Sequence, residues 1–540
     1  MHSHYISERM LFLSAFSPRA WRLLLLIAAG LITGCASLPP PQPRQETRAV
    51  ADVGQTTLGK LSRADAPQAP VGRDGPLSAF RLLPDAAFAF DARISLARNA
   101  ENTLDVQYYH IANDDVGLLL LRELRDAAER GVRVRLLVDD LYTAGEDELF
   151  SALDAFPNVE VRLFNPLPSR AGSLAARLIF SAHEFRRINH RMHNKMLLAD
   201  NSFAVTGGRN IANEYFMRST SANFIDMDVV SNGPVVKEMS AAFDRYWNSE
   251  HSWPIRDVVP QRLSPAEAQA RFDALARQAR PDVPIQPRDS LGQPPVGQEL
   301  VMGQMKRYWA PARFYADDPE KIGRNAGAAF ADSVSQYALW AIAGARHNVR
   351  IISPYFIPGP MGMEMIRQSH SQGVETLVVT NSLGATDEPL AYAGYERYRV
   401  DMLRAGVILY EIAPEFTARS GRFGNFGKSI SRLHAKFALI DEQRIFVGSM
   451  NLDHRSAAVN TESGMLIDSP AMVGDYYSVV SKRRDQLGYR LRLSPDGRRA
   501  QWLELDERGG DLVHEDIPGE FLWLRFKNWL LLPLVGEDLL

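Results

Sequence analysis

The stretch His193-Asn194-Lys195-Met196-Leu197-Leu198-Ala199-Asp200 returns as His434-Ala435-Lys436-Phe437-Ala438-Leu439-Ile440-Asp441, a displacement of 434 − 193 = 241 residues. Both copies read His-x-Lys-x4-Asp. His and Lys two residues apart, ahead of an apolar run, predict a strand with one face toward a site and the other toward a core. His and Lys should then point the same way. The likeness continues downstream, where GGRN at Gly207 to Asn210 is answered by GSMN at Gly448 to Asn451, and 448 − 207 and 451 − 210 again equal 241. A constant offset through a strand, a turn and a Gly-x-x-Asn loop means two related halves.

Working outward, a chain of 540 residues is too long for one ordinary core, so two domains or pseudo-repeats are expected. Its 46% apolar and 23% charged composition is that of a globular protein. The formal net charge of −3 gives no overall attraction to nucleic acid, and no nucleic-acid partner is expected.

In the first half, a helix from Phe88 to Ala100, a strand Thr103 to Tyr109, a helix Val116 to Arg130 and the β run after Gly131 spell a βαβ unit and a parallel sheet. A strand Val159 to Phe164 follows, then an arginine-rich loop (Arg170, Arg177, Arg186, Arg187, Arg191). The second half repeats the order: VRIISPY from Val349, VETLVVTN after Gly373, VILYEI after Gly406, then Arg432-Leu433-His434. The expected fold class is α/β, with two pseudo-repeated domains, each a mixed or mostly parallel sheet flanked by helices, and the site at their interface. The boundaries read as a leader over 1–34, a Pro-rich tether over 35–85, a first domain over 86–278, a connector over 279–330, a second domain over 331–490 and a tail over 491–540. Phe521, Trp523, Phe526 and Trp529 with Arg525 and Lys527 suit a helix lying in a membrane interface or packed on the core.

The repeated motif has a definite chemistry. A neutral imidazole attacks phosphorus, and a second imidazole supplies the proton that the leaving group needs. Lys195 and Lys436 would neutralise a phosphodiester as charge grows on it; Asn210, Asn451 and Ser449 would donate hydrogen bonds to its oxygens. A lysine beside each histidine repels a divalent cation, and no His/Cys cluster has zinc spacing, so neither metal nor cofactor is expected.

At these residues the sequence resembles the phospholipase D superfamily, whose signature H-x-K-x4-D with downstream G-G/S-x-N stands intact in both halves. The resemblance covers about Ala86 to Arg490. It implies catalytic roles for His193, Lys195, Asp200, His434, Lys436 and Asp441, with the motif aspartates largely structural or orienting, and a route through a phosphohistidine. It makes His193 the nucleophile and His434 the proton carrier. A downstream carboxylate buttresses the same or the opposite imidazole; Glu462 fits in the second half. Asp226 is the counterpart, displaced because 462 − 434 = 28 whereas 226 − 193 = 33, which an insertion around Ser219 to Ala222 would explain. Within the superfamily the likeness is to bacterial cardiolipin synthases of the C type, on LDVQYY at Leu104, RINHRMHNK at Arg187, AGYERYR at Ala393, SRLHAK at Ser431 and the C-terminal EDLL. It implies transfer of a phosphatidyl group to phosphatidylglycerol, with phosphatidylglycerol or phosphatidylethanolamine as donor. The alternatives are a hydrolytic phospholipase D and a nuclease of the same superfamily. A small activating partner protein is neither indicated nor excluded.

Arg9, Arg19 and Arg22 precede the apolar run Leu23 to Ile32, too short to span a bilayer but suited to a signal segment. It ends at Cys35, the single cysteine of the chain, in a setting that resembles a bacterial lipobox. Cleavage before Cys35 and its acylation are expected, giving an exported protein lipid-anchored on the periplasmic side of a bacterial membrane.

Overall fold

The computed structural model describes residues 37–40, 42–51, 53–64, 66, 76–280, 284–415, 429–480, 488–505, 510–519, 521 and 523–524. The expected leader, Cys35, the middle of the tether and the last residues, including Phe526, Trp529 and EDLL, lie outside the described residues. Among the described residues no helix is long and apolar enough to cross a membrane.

Each half is built on one mixed sheet. In the first, Thr103–Tyr108, Arg133–Asp139 and Val159–Phe164 run parallel. Met196–Ala199, Phe203–Gly207, Asp228–Asn232 and Ser78–Leu83 extend it antiparallel on one side. In the second, Asn348–Ile352, Glu375–Asn381 and Ile408–Ile412 are the parallel trio, and Phe437–Ile440, Arg444–Gly448 and Ser463–Asp468 the antiparallel extension. The parallel trio and the three antiparallel strands beside it follow the same order in both, so the 241-residue sequence repeat is a repeat of topology in the middle of each sheet.

The parallel strands are connected by helices such as Asp115–Glu129, whose N-cap Asp114 accepts a hydrogen bond from the Gly117 amide. Gly131, at φ 94°, turns the chain out of this helix into the next strand, and Gly373, at φ 80°, does so in the second half. Alternation along the motif strands then divides their side chains. Met196 and Leu198 join Phe437 and Leu439 in one core shared by the two sheets, while Leu197 and Ala199 enter the core under the first half's helices. The two sheets therefore face each other across this core, which helices Pro234–Trp247 and Pro470–Val480 also enter with Phe243, Trp247, Met472 and Tyr476.

The domain boundaries differ from those expected. Part of the stretch read as a tether is folded: Ser78–Leu83 is a fully buried strand, and Thr57–Ala64 is a helix that buries Leu58 and Leu61. Its proline-rich composition hid a few apolar residues that suffice because a larger sheet receives them. The connector is equally structural, since Tyr308–Ala310 is the edge of the first sheet and Ala312–Ala316 the edge of the second. Beyond 490, Ala500–Leu505 and Asp511–His514 extend the second sheet.

Candidate active site

The histidines and lysines of both motifs precede their strands rather than lying within them, since the strands begin at Met196 and Phe437. The reason is that their backbone pairs with the other half. His193 donates its amide to the Thr461 carbonyl at 2.8 Å, and the Thr461 amide returns a bond to Arg191. Reciprocally, Ile430–Leu433 pairs in parallel with Ala222–Ile225, and the His434 amide donates to the Ile225 carbonyl at 2.8 Å. Each motif is thus stitched to the segment that carries the opposite half's carboxylate.

The side chains complete the exchange. Nδ1 of His193 lies 2.9 Å from Oε2 of Glu462, and Nδ1 of His434 lies 2.7 Å from Oδ2 of Asp226. Of the two pairings open in the sequence, same or opposite, the structure takes the opposite one at both sites. The five-residue displacement of Asp226 is accounted for as well, because the extra chain before it includes the Ala222–Ile225 strand that holds His434 in place.

Burial governs the charge states. It pulls His193 down to about 4, against the pull of Glu462, so the ring is neutral near pH 7, and burial lowers His434 as well. Asp226, although buried, is held below the usual carboxylate range by the His434 hydrogen bond and by Lys436. Glu462 is held low mainly by His193, and also by Lys195 and Ser449, against its burial. A neutral imidazole that donates Nδ1–H to a carboxylate keeps its lone pair on Nε2. Neither Nε2 makes a hydrogen bond among the described residues.

Lys195 and Lys436 are almost fully buried, and each Nζ donates to the carbonyl of its own histidine, the first at 2.6 Å. Burial brings Lys195 down to about 7 and Lys436 to about 8, and each feels the other half's carboxylate. Two poorly solvated ammonium groups in one field make a site that gains from an anion. Asn210 and Asn451 are buried too, each with its side-chain Oδ1 unpartnered among the described residues; Asn210 reaches the hydroxyl of Tyr215, the ring against His434, through Nδ2. Turning either amide over presents an NH2 to a phosphate oxygen. Ser449, expected to touch phosphate, instead donates to Glu462 and orients it. Asn451 and Ser456 extend this network: Ser456 accepts the Asn451 amide and donates to Glu462 at 2.8 Å.

Asp200 and Asp441, grouped with the catalytic set, are placed elsewhere. They sit at the far ends of the motif strands, in tight turns with φ 50° and 55°. Asp200 accepts the amides of Glu101, Asn102 and Thr103, and Asp441 those of Arg346, His347 and Asn348. Four apolar strand residues separate each from its lysine, so they tie a loop to a hairpin and do not reach the imidazoles.

In the arginine-rich loop Arg170 is paired with Asp140 and Asp147, Arg177 with Asp147, Arg187 with Glu184 and Arg191 with Asp139, while Arg186 is exposed. Tyr108 is core and accepts from Arg93, but its neighbour Tyr109 packs edge-on against His193 with centroids 5.0 Å apart. Tyr215 does the same to His434 at 5.0 Å, with Phe224 completing the wall. Strand alternation carried the signal for Tyr109: with Leu104, Val106 and Tyr108 in the core, the next residue leaves the sheet at the C-terminal end of a parallel strand, where α/β sites form. Tyr215 and Phe224 had no such signal.

Comparison with known proteins agrees with this geometry. The family model described as "Cardiolipin synthase, PLD-like domain" matches residues 94–247 and 339–483. The chain is 36% identical over 444 residues to cardiolipin synthase C of Escherichia coli, covering 81% of this chain and 91% of that protein. It is 31% identical over 515 residues to an uncharacterized protein of Helicobacter pylori, covering 94% and 97%. Among solved structures, a phosphatidylserine synthase of Haemophilus influenzae shares the fold at TM-score 0.52 with 14% identity, over 86% of this chain and 96% of that one.

Proposed function

Because the chain belongs to the cardiolipin synthase, PLD-like domain family and is a phospholipase D-type phosphatidyltransferase, we propose that it makes cardiolipin through a phosphohistidine at His193. The observation that carries the reading is the crossed pairing of two neutral imidazoles with two ionised carboxylates, each pair spanning the halves.

With the anionic donor bound, His434 takes up a proton from solvent at Nε2 and becomes an imidazolium. Nε2 of His193 then attacks the donor phosphorus, the bond to the head-group oxygen breaks, and that oxygen takes the proton from Nε2 of His434. The phosphatidyl group then rests on His193. His434 next removes the proton from the hydroxyl of phosphatidylglycerol, the new phosphorus–oxygen bond forms, and the phosphorus–nitrogen bond breaks. The carboxylates support this division of labour. Glu462 is shared among His193, Ser449 and Ser456, which weakens its hold on a proton at His193, whereas Asp226 meets His434 at 2.7 Å with its other oxygen on the Met227 amide. An imidazolium is therefore better stabilised at His434, the proton carrier.

The donor is phosphatidylglycerol or phosphatidylethanolamine, and the setting is the periplasmic face of a bacterial membrane, held there through acylated Cys35. That placement is supported by the arginines and apolar run ahead of the single cysteine. Lipid analysis of cells that lack cardiolipin, carrying the wild-type chain or His193→Ala, tests the function. Cardiolipin should accumulate only with the wild type. Head-group release from phosphatidylglycerol without cardiolipin would make the enzyme a hydrolase.

A further inference from the structure

We propose that an apolar cavity in the second half holds one acyl chain of the phospholipid whose phosphate the histidines attack; this deepens the reading above and rests on it. The cavity measures about 450 Å³ and lies among helices Ala326–Phe330, Val334–Ala343 and Gly359–Ser371. That volume is within the roughly 300–1,000 Å³ of small-ligand sites. Its wall includes Asn451 and Asp453, the first of which belongs to the Gly-x-x-Asn loop whose Gly448 amide donates to the Lys436 carbonyl. Met361, also on its wall, is 58% exposed, so the cavity opens to the outside. The rest of the wall is mostly aliphatic and aromatic and offers no lysine or arginine to a polar ligand.

The repeat shows how the space arises. Glu101 and Arg346 make the same bond to their motif aspartates, so the outer helices correspond with an offset of 346 − 101 = 245. The bridge of Ile111 to Ile211 answers that of Phe356 to Leu452, which gives 356 − 111 = 245 and 452 − 211 = 241. Phe90 then corresponds to Ser335 (335 − 90 = 245), and Phe216 to Ala457 (457 − 216 = 241). In the first half the two phenylalanine rings are buried against each other, 5.1 Å between centroids. In the second half Ser335 and Ala457 both line the cavity, and the buried Ser335 hydroxyl has no hydrogen-bond partner among the described residues. Where one half packs two aromatic rings, the other leaves room. A ligand that is apolar along the cavity and carries a phosphodiester at Asn451 is a phospholipid.

The test uses the full chain with short-chain phosphatidylglycerols kept monomeric, so that the chain leaves water when it binds. KM should fall about fourfold for each added methylene until the cavity is full. Ser335→Phe restores the first half's packing and should abolish that dependence and lower transfer from long-chain lipid at least about tenfold, since two methylenes' worth of lost burial already exceeds that. It should leave cleavage of water-soluble bis(4-nitrophenyl) phosphate unchanged. Leu339→Phe, on the same helix and wall, should act likewise, and it serves if Ser335→Phe does not fold. A KM independent of chain length, or a folded variant that handles long and short lipids as the wild type does, overturns the proposal. Wild type that cleaves the soluble diester but transfers no phosphatidyl group sinks the proposed function itself, a distinct result.

Discussion

Glu462 lies 269 positions after His193, in the other half of the chain, yet its carboxylate sits 2.9 Å from the Nδ1 of that ring. Asp226 stands to His434 in the same relation. Neither half therefore holds an oriented histidine by itself, and the active site exists only as the product of their packing. Glu462→Gln and Asp226→Asn keep the shape but remove the charge that fixes the tautomer. Each should lower kcat by about 10²–10⁴, the range for a positioned proton carrier, with a much smaller effect on KM. Steady-state kinetics on both variants checks this; a variant within threefold of wild type would contradict the exchange.

Gly208 tests the same contact from the backbone side. A Cβ there would fall far inside contact distance of Oδ1 of Asp226. Gly208→Ala should push the carboxylate away from His434, and a displacement near 1 Å costs about 10² in rate. The fall should be in kcat, with the far-ultraviolet circular dichroism spectrum of the wild type.

The lysines set a pH limit. Lys195 ionises at about 7 and Lys436 at about 8, both brought down by burial. A lysine is charged below its pKa, so kcat/KM, which reports the free enzyme, should fall as pH rises through that window. On the acid side His193, at about 4, loses its lone pair only as pH drops through that value. Lys195→Arg keeps its charge at all these pH values and should shift the alkaline limb upward, even if the rate is lower. A profile of the wild type that stays level from pH 6 to 9 would count against charged lysines in the free site.

Asp200 and Asp441 should respond differently from the rest of their motifs. Asp200→Ala leaves the amides of Glu101, Asn102 and Thr103 short of an acceptor in a buried turn, which costs about 1–3 kcal/mol or more in stability. The expected result is a lower melting temperature with kcat per folded molecule close to wild type. A large loss of kcat in a protein that melts as the wild type does would return these aspartates to the catalytic group.

The repeat of His193 in His434 was enough to read two α/β halves, because an equal offset through strand, turn and loop records a duplicated fold. The two histidines and the two lysines were legible on the same basis, whereas Glu462 and Asp226 came only through the family resemblance, at unequal spacings from their motifs. The choice of opposite over same-half carboxylate was not, since sequence distance says nothing about which half's segment packs against which ring. Nor was the path of Ser78–Leu83, where the signal of a buried strand is diluted by prolines around it. Nor was the pairing of Arg170, Arg177 and Arg191, since their partners, Asp139, Asp140 and Asp147, come from the end of the strand Arg133–Asp139 and the segment that follows it.

The two histidines can be told apart by the leaving group. If His434 gives a proton to the departing oxygen, a donor whose leaving group needs none should bypass it. With a 4-nitrophenyl phosphodiester, whose phenolate leaves without a proton, His434→Ala should release a burst of nitrophenol close to one per site and then stall, because nothing activates the acceptor. His193→Ala should give no burst with any leaving group. Rapid-mixing absorbance measurements distinguish the two, and acid-labile phosphate retained on the stalled protein would mark the phosphorus–nitrogen bond. A burst from His193→Ala and none from His434→Ala would exchange their roles, as expected if Glu462, despite its three donors, holds the more basic ring.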